Sequence, residues 1–432
     1  MKRRTRTVTA AAAIGGLVAV AGCAPGNGGD NEVEQADETS ELRVAVWTGS
    51  EEHLELFDEI AEGFIDQHET VEEVVFEVLP YDDYTDALTV QLAGGNPPDL
   101  GWIFERNGPE FIDSGVLTDI GPELRDDPDY GYEDIADATT ELWSEGEELY
   151  AYPFSTSPFS MFYNAEMFAQ AGLETPDELY ESGEWTWENA RQAAAEIVAQ
   201  EEASHGFIVG DFDYTIWDNL ATVWRGFDAE AWSEDGAQCG FTSPEMVEAM
   251  TFFHGAVFED SAHPGPGQSA DFFAGDSAMT ITQISRANQL EDDGFEWGLV
   301  PLPEGPGGPE QVVGQAGMGV FNASENQQAA TEFLKHMTDE ENSRKMAEYF
   351  PPPRESLLTA EVLSESNPML TEEQLENAVI EGIETGQSIP THTNFAQLQD
   401  TIRAELDGLW EADADIEGVL DDVCAAAEPL LE

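Results

Sequence analysis

Acidic and aromatic side chains occupy positions from which they could bind a ligand. Glu51 and Glu105 each follow a predicted strand, and Trp217 and Trp224 lie seven residues apart on one face of a helix predicted over residues 214–227. Carboxylates accept strong hydrogen bonds from hydroxyl groups, and flat aromatic rings pack against C–H groups. The pattern predicts a cleft for a polar ligand. The alternatives are core packing of the tryptophans and solvent exposure of the acids.

Small hydroxyl side chains occur in a second stretch of this kind. The sequence LYAYPFSTSPFSMFYN at residues 149–164 predicts an apolar strand over 149–153, a Ser/Thr-rich segment and then an aromatic strand. Hydroxyls between two buried strands are typical of a backbone that crosses a ligand cleft. We therefore expect Ser155 and Ser157 to donate hydrogen bonds to a ligand.

Strands and helices alternate near the start of the chain, and this alternation positions the acidic candidates. Strands are predicted over residues 41–47, 71–79 and 99–104, with amphipathic helices over 51–67 and 83–93 between them. This order is that of a parallel α/β sheet, in which ligands bind outside the carboxyl ends of the strands. The candidates at those ends are residues 48–51, residues 81–84 beginning with Tyr81, and the pair Glu105 and Arg106.

The charge excludes one class of partner. The chain of 432 residues has 90 Asp and Glu against 15 Lys and Arg, a formal net charge of −75. Nucleic acid is excluded, because phosphate binding needs clustered Lys and Arg. Charge of this size repels itself unless salt screens it, which predicts a salt-adapted, acidic surface. Because only 11 basic residues follow residue 6, Arg106 is notable, either as a ligand contact or in a buried ion pair.

The N-terminus predicts export and lipidation. Four basic residues in the first six positions precede an apolar run over residues 10–21, which is the length of a signal-peptide core. The run ends in VAGC at residues 20–23, which resembles a bacterial lipobox. We expect residues 1–22 to be a lipoprotein signal peptide, Cys23 to carry the lipid, and residues 23–40 to be a disordered tether.

Two further cysteines remain after Cys23 is set aside. Cys239 and Cys424 are expected to form a disulfide, since the compartment outside the cell is oxidising. Two separate buried thiols are the alternative.

Signatures of enzymes and metal sites are absent from the sequence. It contains no G-x-S-x-G, and His68-Glu69 lacks the second histidine of H-E-x-x-H. Paired carboxylates carry no weight in a chain with 90 acids, because such pairs arise by chance. We expect no catalysis, no cofactor and no metal.

Several stretches together carry a family resemblance. They are PPDLGWI at 97–103, LYAYPF and FYNAEMFAQAGLETP within 149–176, TWENARQAAAEI at 186–197, FFAGDSAMTI at 272–281, LVPLPEGPGG at 299–308 and AATEFLKHMTDEENSRKMAEYFPPPRES at 329–356. In order and spacing these stretches resemble the extracellular solute-binding proteins of ABC importers, in the sugar-binding group that includes maltose-binding protein.

The resemblance implies a fold and a domain organisation. The fold class is α/β, a two-lobe periplasmic-binding-protein fold of type II with mixed sheets flanked by helices and a hinge of crossing strands. Lobe one would comprise residues 41–150 plus 286–323, and lobe two residues 151–280 plus 324–432.

The resemblance also implies site residues. It places Gln283, Gly314 and Gln315 beside the ligand, and Arg354 where some relatives have an arginine that reaches it, with hinge structure as the alternative for Arg354. Relatives often have a tryptophan at or near Ala316, and its absence here weakens the case for a maltose-like oligosaccharide.

The function implied is that of the substrate-binding lipoprotein of an ABC transporter. It would capture an extracellular mono- or oligosaccharide by hinge closure and deliver it to the membrane permease. We expect a monomer at the cell surface, anchored by lipid on Cys23 to the outer face of the cytoplasmic membrane. The alternatives are a receptor for another polar solute (a polyol, glycerol phosphate or a peptide) or a secreted polysaccharide hydrolase.

Overall fold

The computed structural model describes residues 40–431 except 291–293, 348 and 367. The predicted signal peptide, Cys23 and nearly all of the predicted tether lie outside the described residues. Within the described part of the chain, no helix is long and apolar enough to cross a membrane.

A mixed sheet runs through the molecule. Its strands and a short separate hairpin of β4 and β5 are, in chain order, β1 (Ser40–Val46), β2 (Val71–Val78), β3 (Leu100–Phe104), β4 (Ser144–Glu145), β5 (Glu148–Leu149), β6 (Ala151–Asn164), β7 (His205–Val209), β8 (Ser277–Gln283), β9 (Trp297–Val300), β10 (Val312–Val320) and β11 (Gln387–Ser388). The sheet order is β2-β1-β3-β10-β6-β8-β7, with β9 paired to β6 and β11 to β10.

Helices flank the sheet. They are α1 (Glu51–Ile65), α2 (Tyr84–Gly94), α3 (Gly108–Asp113), α4 (Gly121–Arg125), α5 (Asp137–Thr140), α6 (Ala165–Ala171), α7 (Pro176–Ser182), α8 (Trp187–Ala199), α9 (Ala221–Trp224), α10 (Pro244–Phe258), α11 (Gln327–Met337), α12 (Glu340–Met346), α13 (Ala360–Ser366), α14 (Glu372–Gln374), α15 (Glu381–Thr385), α16 (Phe395–Leu406) and α17 (Ile416–Leu431). Short 3₁₀ helices at Glu105–Asn107, Trp217–Leu220 and Ile284–Gln289 contribute to the site described below.

Strand and helix alternate in β1–α1–β2–α2–β3 as the sequence predicted. Strands β1, β2 and β3 are parallel, so their carboxyl ends meet at one edge. Ser50 caps the N-terminus of α1, and its hydroxyl accepts a hydrogen bond from the His53 N–H. Its buried face repeats at helical spacing through Phe57, Ile60 and Phe64.

Strands β6 and β10 pass between two hydrophobic cores. The residues of β6 from Ala151 to Phe154 belong to a first core with β1–β3 and α1, and those from Phe159 to Tyr163 face other clusters. The second core includes α8, β7, α10, α16 and α17. The first half of β6 pairs with β10, and its second half pairs with β8 and β9.

The structure differs from the predicted elements in two places. Residues 149–164 were expected to form two strands around a Ser/Thr segment, whereas β6 is one strand in which every residue is buried. The segment 214–227 was expected to be one helix, but it consists of a 3₁₀ turn, the four-residue α9 and a second 3₁₀ turn.

The predicted lobe boundaries stay a prediction, although the packing differs from them at two segments. Helix α11 was placed in lobe two, but Phe333 and Leu334 pack in the first core. Strand β9 was placed in lobe one, but it pairs with the second half of β6. In both cases the position of the segment depends on the sheet or core that buries its apolar face. The boundaries were inferred from the resemblance alone, which does not show this packing.

A disulfide joins Cys239 to Cys424. It ties the loop before α10 to α17 within the second core, and the alternative of two separate thiols is excluded in this structure.

Candidate functional site

A cavity of about 330 Å³ lies where the carboxyl ends of several strands converge. Trp47 and Thr48 follow β1, Tyr81 follows β2, and Glu105 follows β3. The carboxyl end of β8 contributes Gln283 and the residues just after it. The middle of β6 and the middle of β10 complete the wall. The position is the one expected for a ligand in an α/β sheet.

Aromatic rings form much of the wall. Trp47 stacks on Phe104 with ring centroids 4.2 Å apart and an interplanar angle of 14°. Tyr81, which is 44 % exposed, meets the Phe104 ring edge-on at 5.2 Å. On another side, Tyr349 lies 4.4 Å from the His53 ring. Flat faces of this kind can contact the C–H groups of a sugar ring.

The carboxyl of Glu105 is buried in the wall. It accepts a hydrogen bond from the backbone N–H of Gln315 on β10. The Gln315 side-chain oxygen in turn accepts a hydrogen bond from Trp143 Nε1 at 2.9 Å. Burial raises the pKa of Glu105 to about 8, against the opposing effects of the Gln315 N–H and of Arg106. The carboxyl is therefore mostly protonated at pH 7.

Arg106 links the two cores electrostatically. It lies on the 3₁₀ turn after β3, and its Nη1 is 3.2 Å from Asp218, a fully buried residue of the second core's 3₁₀ turn. Burial raises the pKa of Asp218, while the charge of Arg106 opposes that shift. Arg106 also lies over the Phe104 ring, 5.8 Å from its centroid.

A second guanidinium lines the cavity from the other side. Arg286, just after β8, forms an ion pair with Asp211, which follows β7. Tyr81 lies near both arginines and near Asp211.

Polar groups without charge fill the remaining wall. Ser155 of β6 and Gln283 of β8 both line the cavity. Gly314 of β10 makes room for Gln283, since a Cβ at that position would come within 1.8 Å of the Gln283 amide nitrogen. Together with Gln315, these groups can donate to and accept from hydroxyls.

Eight of the predicted residues therefore come together at one cavity. They are Tyr81, Glu105, Arg106, Ser155, Gln283, Gly314, Gln315 and, from the predicted loop after β1, Thr48. Their roles in binding stay predictions.

Three other predicted residues do not line the cavity. Glu51 is exposed on the first turn of α1. Ser157 is buried, and its hydroxyl accepts the backbone N–H of Ser285 at 3.1 Å. Arg354 is 1 % exposed and donates to the backbone oxygens of Thr338, Gly131 and Tyr130, so it holds loops together.

The two tryptophans predicted to stack on a ligand lie in the second core. Trp217 and Trp224 are 2 % and 0 % exposed, and their ring centroids are 6.2 Å apart. The geometry corrects the stacking prediction, because the shared face that their spacing creates is covered by Phe241 and Phe395.

Several lining residues were missed by the sequence reasoning. Trp47 and Phe104 directly precede the predicted loops, so strand-end position could have found them. Arg286 closely follows Gln283, the last residue of β8, so its position after a strand end could also have identified it. Tyr349 and Phe350 follow α12, and no local pattern marks their approach to α1 and β6.

A larger cavity of about 820 Å³ lies on the second core between α8 and α10. Arg191 in its wall is already paired with Glu259 and Asp260 and lies over the Phe252 ring. No strand end contributes to it, so the 330 Å³ cavity is the better candidate for a binding site. No cluster of His, Cys, Asp and Glu among the described residues could hold a metal ion.

Comparison with known proteins identifies relatives over most of the chain. The model of the bacterial extracellular solute-binding protein family matches residues 49–344. An arabinooligosaccharide-binding protein of Halalkalibacterium halodurans is 22 % identical over 359 residues, covering 77 % of this chain and 78 % of that protein.

Solved structures share the fold. An ABC substrate-binding protein of Listeria monocytogenes in complex with cycloalternan superposes with a TM-score of 0.79 at 22 % identity, covering 91 % of this chain and 99 % of that one. An ABC transporter solute-binding protein of Thermotoga lettingae bound with α-D-tagatose gives 0.76 at 17 % identity, covering 91 % and 100 %. The predicted periplasmic-binding-protein fold is confirmed by these matches.

Proposed function

The chain belongs to the bacterial extracellular solute-binding protein family, whose members are non-enzymatic receptors, and from this membership we propose that it captures a short sugar outside the cell for an ABC permease. The single observation that carries the proposal is the 330 Å³ cavity, where aromatic faces and hydrogen-bonding groups converge at the strand ends. A sugar presents hydroxyls in its ring plane and C–H groups on its faces, and this wall offers partners for both.

The size of the cavity favours a mono- or disaccharide. Sites for small molecules span roughly 300–1,000 Å³, and this cavity lies near the lower limit. Its position between two cores joined by β6 and β10 supports a receptor that closes on its ligand by a shift between open and closed populations. The ligands of the structural relatives, cycloalternan and tagatose, make a sugar the first class to test.

Delivery would occur at the cell surface. The lipobox-like sequence before Cys23 supports a lipid anchor on the outer face of the cytoplasmic membrane. A single chain of lipid anchors only marginally, so the mature cysteine would carry more than one. Replacement of Cys23 by Ser should then release the protein into the medium, whereas retention on the membrane would contradict the anchor.

A thermal-shift screen against neutral and acidic mono- and disaccharides tests the proposal. A ligand that binds only the folded state stabilises it by mass action and so raises the melting temperature. At a ligand concentration of a hundred times its Kd, the free energy of unfolding increases by about 2.7 kcal/mol. We expect at least one saccharide to do so, and Trp47→Ala to reduce its affinity about tenfold by removing one aromatic face. A matched control is Trp297→Ala, because this partly buried tryptophan of β9 does not line the cavity. No shift with any saccharide, or hydrolysis of an oligosaccharide, would overturn the proposal.

A further inference from the structure

The charges that line the 330 Å³ cavity are opposite in sign to those of the chain. The charged side chains in its lining are Arg106, Arg286 and Glu105. Acids outnumber bases six to one in the sequence, 90 against 15, yet two arginines and one acid face this space. Random placement would give about six acids for every base.

The single acid in the lining does not cancel the arginines at neutral pH. The buried Glu105 carboxyl has a pKa raised to about 8 and already accepts the Gln315 N–H. Burial also lowers the pKa of His53, another residue of the lining, and so disfavours its charged form. The two guanidinium groups are therefore the cationic groups of the wall, and each forms an ion pair with an aspartate, Arg106 with Asp218 and Arg286 with Asp211.

Arg106 is incompletely satisfied. Its Nε is buried without a hydrogen-bond partner among the described residues, and its contact with the protein's acids is the 3.2 Å approach of Nη1 to Asp218. Both oxygens of Asp218 are likewise buried without a hydrogen-bond partner in the described structure. The Arg106 side chain is nevertheless 20 % exposed and lines the cavity, so the N–H groups of its guanidinium that face the cavity can donate to a ligand there.

Arg286 offers the second cation from the facing side. It is about one-third exposed, and its ion pair with Asp211 uses Nη2. Arg106 follows β3 and Arg286 follows β8, so the two guanidinium groups reach the cavity from the two cores that β6 joins.

We propose that the ligand is a short saccharide carrying one negative charge, a sugar acid whose carboxylate is bound by Arg106 and Arg286. The planar guanidinium matches a carboxylate with two parallel hydrogen bonds. Asp211 and Asp218 already offset the two arginines, so a dianionic phosphate ester would add twice the excess negative charge of a carboxylate in a chain of net charge −75. The proposal rests on the sugar-receptor function above and names its substrate class.

Titration calorimetry on the purified protein at constant salt tests the proposal. The probes are neutral mono- and disaccharides, beginning with D-glucose and D-galactose, each paired with its uronic acid, together with glucose 6-phosphate and glucose 6-sulfate. We expect a uronic acid to bind at least about tenfold more tightly than its neutral parent. Arg106→Gln and Arg286→Gln should each remove that preference. Arg344→Gln, an exposed cation on α12, is the matched control and should keep it.

Each outcome decides the proposal. A neutral sugar that binds as tightly as its acid overturns the charge assignment and leaves the receptor function intact. Tighter binding of the phosphate or sulfate ester overturns the carboxylate assignment. If no saccharide of any class binds, both the proposal and the receptor function are overturned. The comparison of probes on the unaltered protein decides even if an arginine variant fails to fold.

Discussion

At the scale of single residues, the buried carboxyl of Glu105 couples stability to pH. Its pKa in the folded chain is about 8, above the ordinary value of 4.5 that it takes when unfolded. Between these values the folded chain holds a proton that the unfolded chain has released, so the free energy of unfolding falls as pH rises. The loss is complete above about pH 8. We expect Glu105→Gln to remove this component.

Denaturation of both proteins at pH 5 to 9 in constant salt measures the effect. The stability of Glu105→Gln relative to the native chain should grow with pH up to about 8 and then level off. Asp218, Arg106 and Arg225 act electrostatically on Glu105, but they are present in both proteins. Glu62→Gln, an exposed acid in α1, is the control and should follow the native curve. If the stability of Glu105→Gln and that of the native chain changed with pH in parallel, the raised pKa of Glu105 would be contradicted.

The sequence predicted the positions of some candidate side chains correctly and those of others wrongly. Tyr81, Glu105 and Arg106 were predicted correctly to lie together, because the alternation of strands and helices fixes which loops share an edge. Trp217 and Trp224 were wrongly predicted to face the ligand. Their spacing in the sequence suggests that the two rings share a face, but it does not show which residues cover that face.

At the scale of elements, β6 shows why the Ser/Thr segment was mistaken for a break between strands. Its hydroxyls find partners outside the strand that the sequence does not reveal. Thr156 Oγ1 donates to the Pro351 oxygen at 3.0 Å, and Ser157 accepts from the Ser285 N–H. Buried hydroxyls with partners cost little, so the strand continues through both cores.

The disulfide yields the element-scale prediction. Cys239 and Cys424 are 185 residues apart, and loop entropy at that separation corresponds to about 5 kcal/mol, with 2–5 kcal/mol typical of measured losses. The double variant Cys239→Ser with Cys424→Ser should therefore unfold at lower denaturant concentration. Saccharide affinity of the folded protein should be unchanged, because neither cysteine lines the 330 Å³ cavity.

Denaturation of the intact protein with and without reductant gives the matched control for this variant. Reduction should lower the midpoint of the native chain and leave the double variant unaffected. An equal midpoint for native chain and variant would show that the disulfide contributes nothing to stability.

At the scale of the whole molecule, the family and the two-core α/β plan could be predicted, because stretches over most of the chain carried the resemblance. The assignment of every segment to one of the two halves could not be predicted. Helix α11 and β9 pack on the sides that their apolar faces require, and this depends on contacts between residues far apart in sequence. Tyr349 and Phe350 reach the cavity through the same long-range packing.

The net charge of −75 makes the stability of the whole fold depend on salt. Such excess negative charge opposes the compact state by self-repulsion, and the Debye length falls from about 10 Å at 0.1 M to about 3 Å at 1 M salt. We expect the melting temperature to rise with sodium chloride over this range and to flatten as screening is completed. Near pH 4, where carboxylates take up protons, the response should shrink, because the repelling charges are themselves reduced. A melting temperature that is flat with salt at pH 7, or a response of equal size at both pH values, would contradict screening as the cause.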